Sequence, residues 1–312
     1  MSLLSAAFHA EIADGPDDAR AYWLNTSDDV RIRSVVWGGG TKGTVLLFPG
    51  RTEYIEKYGR AAADLLAHGF STVAIDWRGQ GLADRIQKNP NIGHVEDFRN
   101  YQKDLEAVLD ALPEMDVSGP KFLLGHSMGG CIGLRSLMEG LDVKAAAFSA
   151  PMWGIAMGTP KRTAAWVVST LARSIGAASG LAPGTVEKTY VLANPFEDNM
   201  LTTDPEMFGY MKSQVQAQPD LALGGPSLAW LNEGLKECRS LRMRPTPTVP
   251  TLTLLGTQER IVDVEAIHDR MARWPNGTLK IVEGSEHEVL MENKSTREAA
   301  IKSIAAHFET HS

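Results

Sequence analysis

The chain is 312 residues long, with 43% apolar and 22% charged residues, and its 38 Asp plus Glu outnumber 31 Lys plus Arg to give a formal net charge of −7. That composition excludes a disordered chain, which is poor in apolar residues, and a nucleic-acid binder, which needs a basic stripe to neutralise phosphates. No run of about 18 uncharged apolar residues is present, so no segment reads as a membrane-spanning helix.

The start, Met1 to Asp14, has no basic region and carries Glu11 and Asp14 where an exported chain has an apolar core, so no signal peptide is expected. Tyr22 to Asn25 and Val30 to Trp37 read as two strands separated by the turn residues Thr26-Ser27-Asp28-Asp29, a hairpin. The rhythm then changes. The run Gly43 to Pro49 is short and continuously apolar, and a helix is expected from Ile55 to His68, stopped by Gly69. Strand Ser71 to Asp76, helix His94 to Leu112, strand Lys121 to Gly125, helix Met128 to Glu139 and strand Val143 to Ala150 follow. Continuous apolar strands alternating with helices predict a mostly parallel, doubly wound α/β sheet covered on both faces, entered through an antiparallel hairpin. Cys131 and Cys238 are too few for a disulfide framework and read as buried thiols of a cytoplasmic protein.

After Pro151 the alternation stops, to resume at Thr251-Leu-Thr-Leu-Leu255. A helix (Val264 to Trp274), a strand (Thr278 to Glu283) and a last helix (Thr296 to Phe308) complete the chain. The expected organisation is a core formed by residues 1–151 and 245–312, interrupted by a helical lid over 152–244 whose helices are punctuated by Gly and Pro.

Gly125-His126-Ser127-Met128-Gly129 stands directly after a predicted strand and directly before a predicted helix. A serine in such a sharp turn projects its hydroxyl above the sheet, glycines two residues either side let the turn close, and the helix aims amide N–H groups at the reacting centre. A serine hydroxyl needs a base. Of eight histidines, His287 lies in the loop after the last predicted strand, on the same carboxyl edge of the sheet as Ser127, and is the candidate; His94, at a predicted helix start, is the rival, and His126 is given a structural role. The orienting acid should lie between Ser127 and His287 in the chain. Glu259, three residues after Gly256, is the first choice, with Asp263 in reserve because it also suits the N-cap of the helix from Val264. The oxyanion of acyl transfer needs two amide donors, for which the N–H groups of Arg51 and Met128 are the candidates. No metal and no cofactor is called for by these residues.

The segments Pro49-Gly-Arg-Thr-Glu53, Asp76-Trp-Arg-Gly-Gln-Gly81, Gly93-His-Val95, Gly125-His-Ser-Met-Gly-Gly130, Ala150-Pro-Met152, Glu259-Arg-Ile-Val-Asp263 and His287-Glu288 together resemble the α/β-hydrolase fold of the monoacylglycerol lipase and lysophospholipase group, most similarly the bacterial PldB-type lysophospholipases. The resemblance implies a serine esterase acting on a lipid or small-molecule ester. It supports Glu259 as the acid, where most of the wider superfamily carries Asp, and implies a head-group contact for Glu53.

From Met152 to Val186 no Asp or Glu occurs, and Ala164, Val168, Leu171 and Ile175 form one stripe of a helix begun by Thr159-Pro160. Such a segment would admit an acyl chain, with Trp153, Met157 and Trp166 touching substrate or lipid, and would make transient contact with the inner membrane face. The alternative is that the stripe packs the lid on the core. Two other functions compete: a peptidase or amidase on the same framework, and a non-catalytic ligand-binding member of the fold.

Overall fold

The computed structural model describes residues 3–312; Met1 and Ser2, the first two residues of the stretch read for a leader, lie outside them. Among the described residues one sheet of nine strands runs through the molecule: β1 (Leu4–Ser5), β2 (Arg20–Asn25), β3 (Arg31–Trp37), β4 (Thr44–Phe48), β5 (Ser71–Asp76), β6 (Lys121–His126), β7 (Ala146–Ser149), β8 (Thr251–Gly256) and β9 (Gly277–Val282), in the order β1-β2-β3-β5-β4-β6-β7-β8-β9. β1, β2 and β3 pair antiparallel and β3 joins β5 antiparallel, whereas every pairing from β5 through β9 is parallel. The hairpin between β2 and β3 closes because Asp29 takes a left-handed φ of 61° and Thr26 Oγ1 accepts from Val30 N at 3.1 Å.

Side-chain alternation sends Leu46 and Phe48 to one face of β4 and Val45 and Leu47 to the other, and each face has its own core. Helices α3 (Asn100–Ala111), α4 (Met128–Met138) and α9 (Val264–Met271) pack on the first face. On the second lie α2 (Gly59–Ala67) and α10 (Lys294–Thr310). Between β7 and β8 the chain forms α5 (Thr159–Ser174), α6 (Tyr190–Ala193), α7 (Pro205–Ala217) and α8 (Leu228–Met243), with α5 packed along α8. Among the described residues no helix is long and apolar enough to cross a membrane.

Two local expectations are corrected. The helix predicted from His94 begins at Asn100, because Gly93 is instead bridged to Pro226 and His94 Nδ1 meets Ser227 Oγ at 2.9 Å. The helix predicted from Ile55 opens as a 3₁₀ turn (Ile55–Tyr58), drawn inward by ion pairs: Arg33 donates to Glu56 at 2.7 and 2.8 Å and to Asp76 at 2.8 Å, all three side chains fully buried. β1 and the short helix α1 (Ala10–Ala13) were not anticipated. Both cysteines are free and buried.

Candidate active site

The turn between β6 and α4 holds Ser127 at φ 49° and ψ −116°, a conformation that non-glycine residues rarely adopt. The glycines around it are demanded by contact. A Cβ on Gly129 would come within 2.0 Å of the Phe48 carbonyl oxygen, and one on Gly130 within 2.6 Å of the Pro151 ring. The strained turn is pinned from both sides, with Ser127 N donating to Ser149 O at 3.1 Å and Met152 N donating to Ser127 O at 2.8 Å.

His287 and Glu259 leave the carboxyl ends of β9 and β8. Their side chains, 4% and 0% exposed, meet at 2.6 Å from Nδ1 to Oε2. Since a carboxylate only accepts, Nδ1 carries the proton and Nε2 is left with its lone pair, the state a general base requires. Burial would raise the Glu259 carboxyl. The hydrogen bond and charge of His287, with the amides of Val262 and Ile261, outweigh burial and hold it below its ordinary range. Asp263 does something else: it caps α9, accepting from Ala266 N at 3.3 Å, and pairs with Arg162 at 2.8 Å. His94 does not line the cavity that contains Ser127 and His287.

That cavity has a volume of about 620 Å³ and is walled largely by apolar side chains, among them Met152, Ile155 and Met157 near α5, and Val191, Leu201 and Met211 from α6 to α7. Ser127 Oγ makes no hydrogen bond among the described residues. Bonds between such a hydroxyl and its base are often long before substrate arrives and tighten in the reacting complex.

Arg51, in the loop after β4, lines the same cavity as Ser127. The amides of Arg51 and Met128 make no hydrogen bond among the described residues. Two buried side chains brace the loop: Gln80 Nε2 donates to Gly50 O at 2.8 Å and Trp77 Nε1 to Pro49 O at 3.0 Å. In the segment Asp76 to Gly81 the polar side chains Asp76, Arg78 and Gln80 are buried supports beside turn glycines. Glu53 lines the cavity, but its carboxylate already accepts from Gly50 N, Lys57 Nζ (2.7 Å) and Tyr58 Oη (2.6 Å). Burial would raise Glu53; the Lys57 and His126 side chains bring it down to about 2.

Lys57 Nζ stands 2.7 Å from both Glu53 and Glu288, so one buried ammonium ties the Arg51 loop to the residue after His287. Glu53, His126 and Glu288 place three ligand-type atoms within 4.8 Å of one another, and this ammonium holds the two carboxylates. His126 donates from Nδ1 to Ser149 O at 3.0 Å, and burial pushes its imidazole down to about 4.

The segment between β7 and β8 also holds the histidine loop. His287 N donates to Met200 O at 3.3 Å and Glu288 N to Leu201 O at 2.8 Å. The buried carboxylate of Glu292 collects Glu286 N (2.8 Å), Thr203 N (3.0 Å) and the Thr202 and Thr203 hydroxyls (3.1 and 2.6 Å). No spacing in the sequence joined residues so far apart.

Two expectations about the segment after Pro151 are corrected. Trp153, expected to touch substrate, does not line the cavity: it turns under α4, donates from Nε1 to Gly130 O at 3.1 Å, and stacks on Trp274 with centroids 5.8 Å apart. The stripe on α5 does not pack on the core. Its buried face is Ser169 and Ala172, whereas Leu171 and Ile175 are 59% and 78% exposed and Val168 borders the cavity.

The family model described as Serine aminopeptidase, S33, matches residues 39–294. Lysophospholipase L2 of Escherichia coli (strain K12) is 30% identical over 295 residues, covering 91% of this chain and 86% of that protein. The monoacylglycerol lipase of Mycolicibacterium smegmatis is 25% identical over 270 residues, covering 84% and 88%. Among solved structures, a soluble variant of monoglyceride lipase from Saccharomyces cerevisiae in complex with a substrate analog superposes with a TM-score of 0.72 at 19% identity, over 93% of this chain and 95% of that one. This structural likeness speaks to the fold.

Proposed function

The chain belongs to the family described as Serine aminopeptidase, S33, and from that premise we propose that it is a serine hydrolase cleaving the carboxylic ester of a monoacyl lipid, of lysophospholipid or monoacylglycerol type. The observation that carries this reading is that His287, its Nδ1 held by the buried Glu259 carboxylate, lines one apolar cavity together with Ser127. Ser127 Oγ attacks the ester carbonyl while His287 Nε2 takes its proton. The developing oxyanion is received by the amides of Arg51 and Met128, each such donor being worth about 3 kcal/mol of barrier. Collapse breaks the ester C–O bond, and His287 returns the proton to the leaving alcohol. Water, deprotonated by the same imidazole, then releases the fatty acid from Ser127.

Residues 152–244 serve in this reading as a lid on a core of residues 1–151 and 245–312. The exposed Val167, Leu171 and Ile175 of α5, in a stretch without acids, support transient contact of that lid with a membrane surface. The peptidase reading needs a free carboxylate to meet a substrate amine, and the two carboxylates in the cavity share Lys57. The deciding experiment is a comparison of p-nitrophenyl esters of rising chain length, lysophospholipid, monoacylglycerol and an aminoacyl anilide. Turnover of the acyl lipids above the anilide is expected; the reverse order would overturn the reading.

A further inference from the structure

Arg51 lines the cavity, and its guanidinium has no counter-charge among the described residues. Its Nη1 donates to Gly224 O at 2.8 Å and its carbon lies 5.5 Å from the Trp230 ring centroid, and among the described residues it makes no ion pair. Of the other cations lining the cavity, Lys57 is shared by Glu53 and Glu288, and Lys161 is exposed on α5. A guanidinium offers five N–H donors in a planar fork, and among the described residues only one bond is made. Arg51 is half-buried, charges drawn out of water are ordinarily paired, and burial pushes this one down to about 10. Its setting is fixed: Gly93 N donates to Gly225 O at 3.0 Å and Gly224 N to Asn91 O at 2.8 Å, which holds the Gly224 carbonyl that orients Arg51. The run Gly93-His-Val95 thereby gains a purpose that the catalytic residues did not give it.

We infer that the Arg51 side chain receives the phosphate of a lysophospholipid head group, so that the residue whose amide faces the oxyanion also selects phosphate-bearing monoacyl esters over neutral ones. This rests on the ester-hydrolase reading above. The nearest source of an anion at this wall is the molecule whose ester lies at Ser127. In a glycerophospholipid the phosphate stands on the same glycerol as that ester, and a guanidinium fork matches two of its oxygens.

The test is the ratio of kcat/KM for a lysophospholipid to that for a monoacylglycerol of the same acyl chain, in the unmodified protein, Arg51→Met and Arg51→Lys. The ratio is expected to fall roughly 10- to 100-fold in Arg51→Met, the scale of a lost charge-assisted bond, and less in Arg51→Lys. Hydrolysis of a p-nitrophenyl ester by the unmodified protein should be inhibited more strongly by glycerophosphate than by inorganic phosphate. If the unmodified protein turns over both lipids and Arg51→Met leaves the ratio unmoved, this inference falls alone. Equal inhibition by the two phosphates would mark a free-phosphate site and overturn the head-group assignment. If neither lipid is turned over, the ester-hydrolase reading falls and takes the inference with it.

Discussion

Glu259 and His287 meet at 2.6 Å from loops that follow two adjacent parallel strands, while Asp263, four residues further on, caps α9 instead. If the carboxylate fixes the imidazole tautomer, Glu259→Gln should lower kcat by about 10³- to 10⁴-fold, because an amide can donate to Nδ1 and favour the wrong form. Asp263→Asn retains a capping side chain and should change kcat by no more than about threefold. Steady-state kinetics on a soluble p-nitrophenyl ester separate the two; a collapse confined to Asp263→Asn would reverse the assignment.

The strap from Met200 to Thr203 hydrogen-bonds the backbone of the histidine loop, with Glu292 as the shared acceptor. Glu292→Gln turns an acceptor of four bonds into a group that also donates. It should cost about 2 to 3 kcal/mol of stability and lower kcat roughly 10-fold or more through misplacement of His287. Thr203→Val should do the same more weakly. Urea midpoints read beside kcat check this; a stability loss with kcat unchanged would show that the strap does not position His287.

His126 is held neutral at about 4 against an ordinary 6.5. The unfolded chain therefore binds the proton more readily, so the stability tied to neutral His126 is complete above pH 6.5 and is lost as pH falls toward 4. The loss approaches about 1.4 kcal/mol per pH unit within that window. Urea unfolding at pH 7, 6 and 5 should show this slope in the unmodified protein and a shallower one in His126→Gln. Parallel slopes would remove His126 as the source.

Much of this site was legible because its signals are local. The turn at Ser127 needs glycine neighbours between a strand and a helix, and the loops of Glu259 and His287 follow apolar strands whose parallel pairing puts them on one edge. What escaped was carried by partners distant in sequence. Glu56 and Lys57 look like the solvated side of a helix until Arg33, Asp76, Glu53 and Glu288 surround them. Trp153 follows a strand end, and its direction depends on the chain reversal that binds Met152 N to Ser127 O. The apolar stripe of α5 has the periodicity of a packed face, but periodicity cannot say which side meets the core.

The exposed stripe yields its own expectation. Replacing Leu171 and Ile175 together by Gln should lower the ratio of activity on acyl-lipid vesicles to activity on a short soluble ester by about 10-fold, through lost apolar contact with the lipid surface. An unchanged ratio would confine α5 to walling the cavity.

The central claim is that Ser127 carries the acyl group of a monoacyl lipid, and fatty-acid release from a lysophospholipid and a monoacylglycerol by the unmodified protein and Ser127→Ala tests it most directly. The expected result is turnover of at least one lipid by the unmodified protein and a fall of about 10⁶-fold in the variant, the scale seen when a nucleophilic serine is removed. No release by the unmodified protein, or undiminished release by a folded Ser127→Ala, would contradict it.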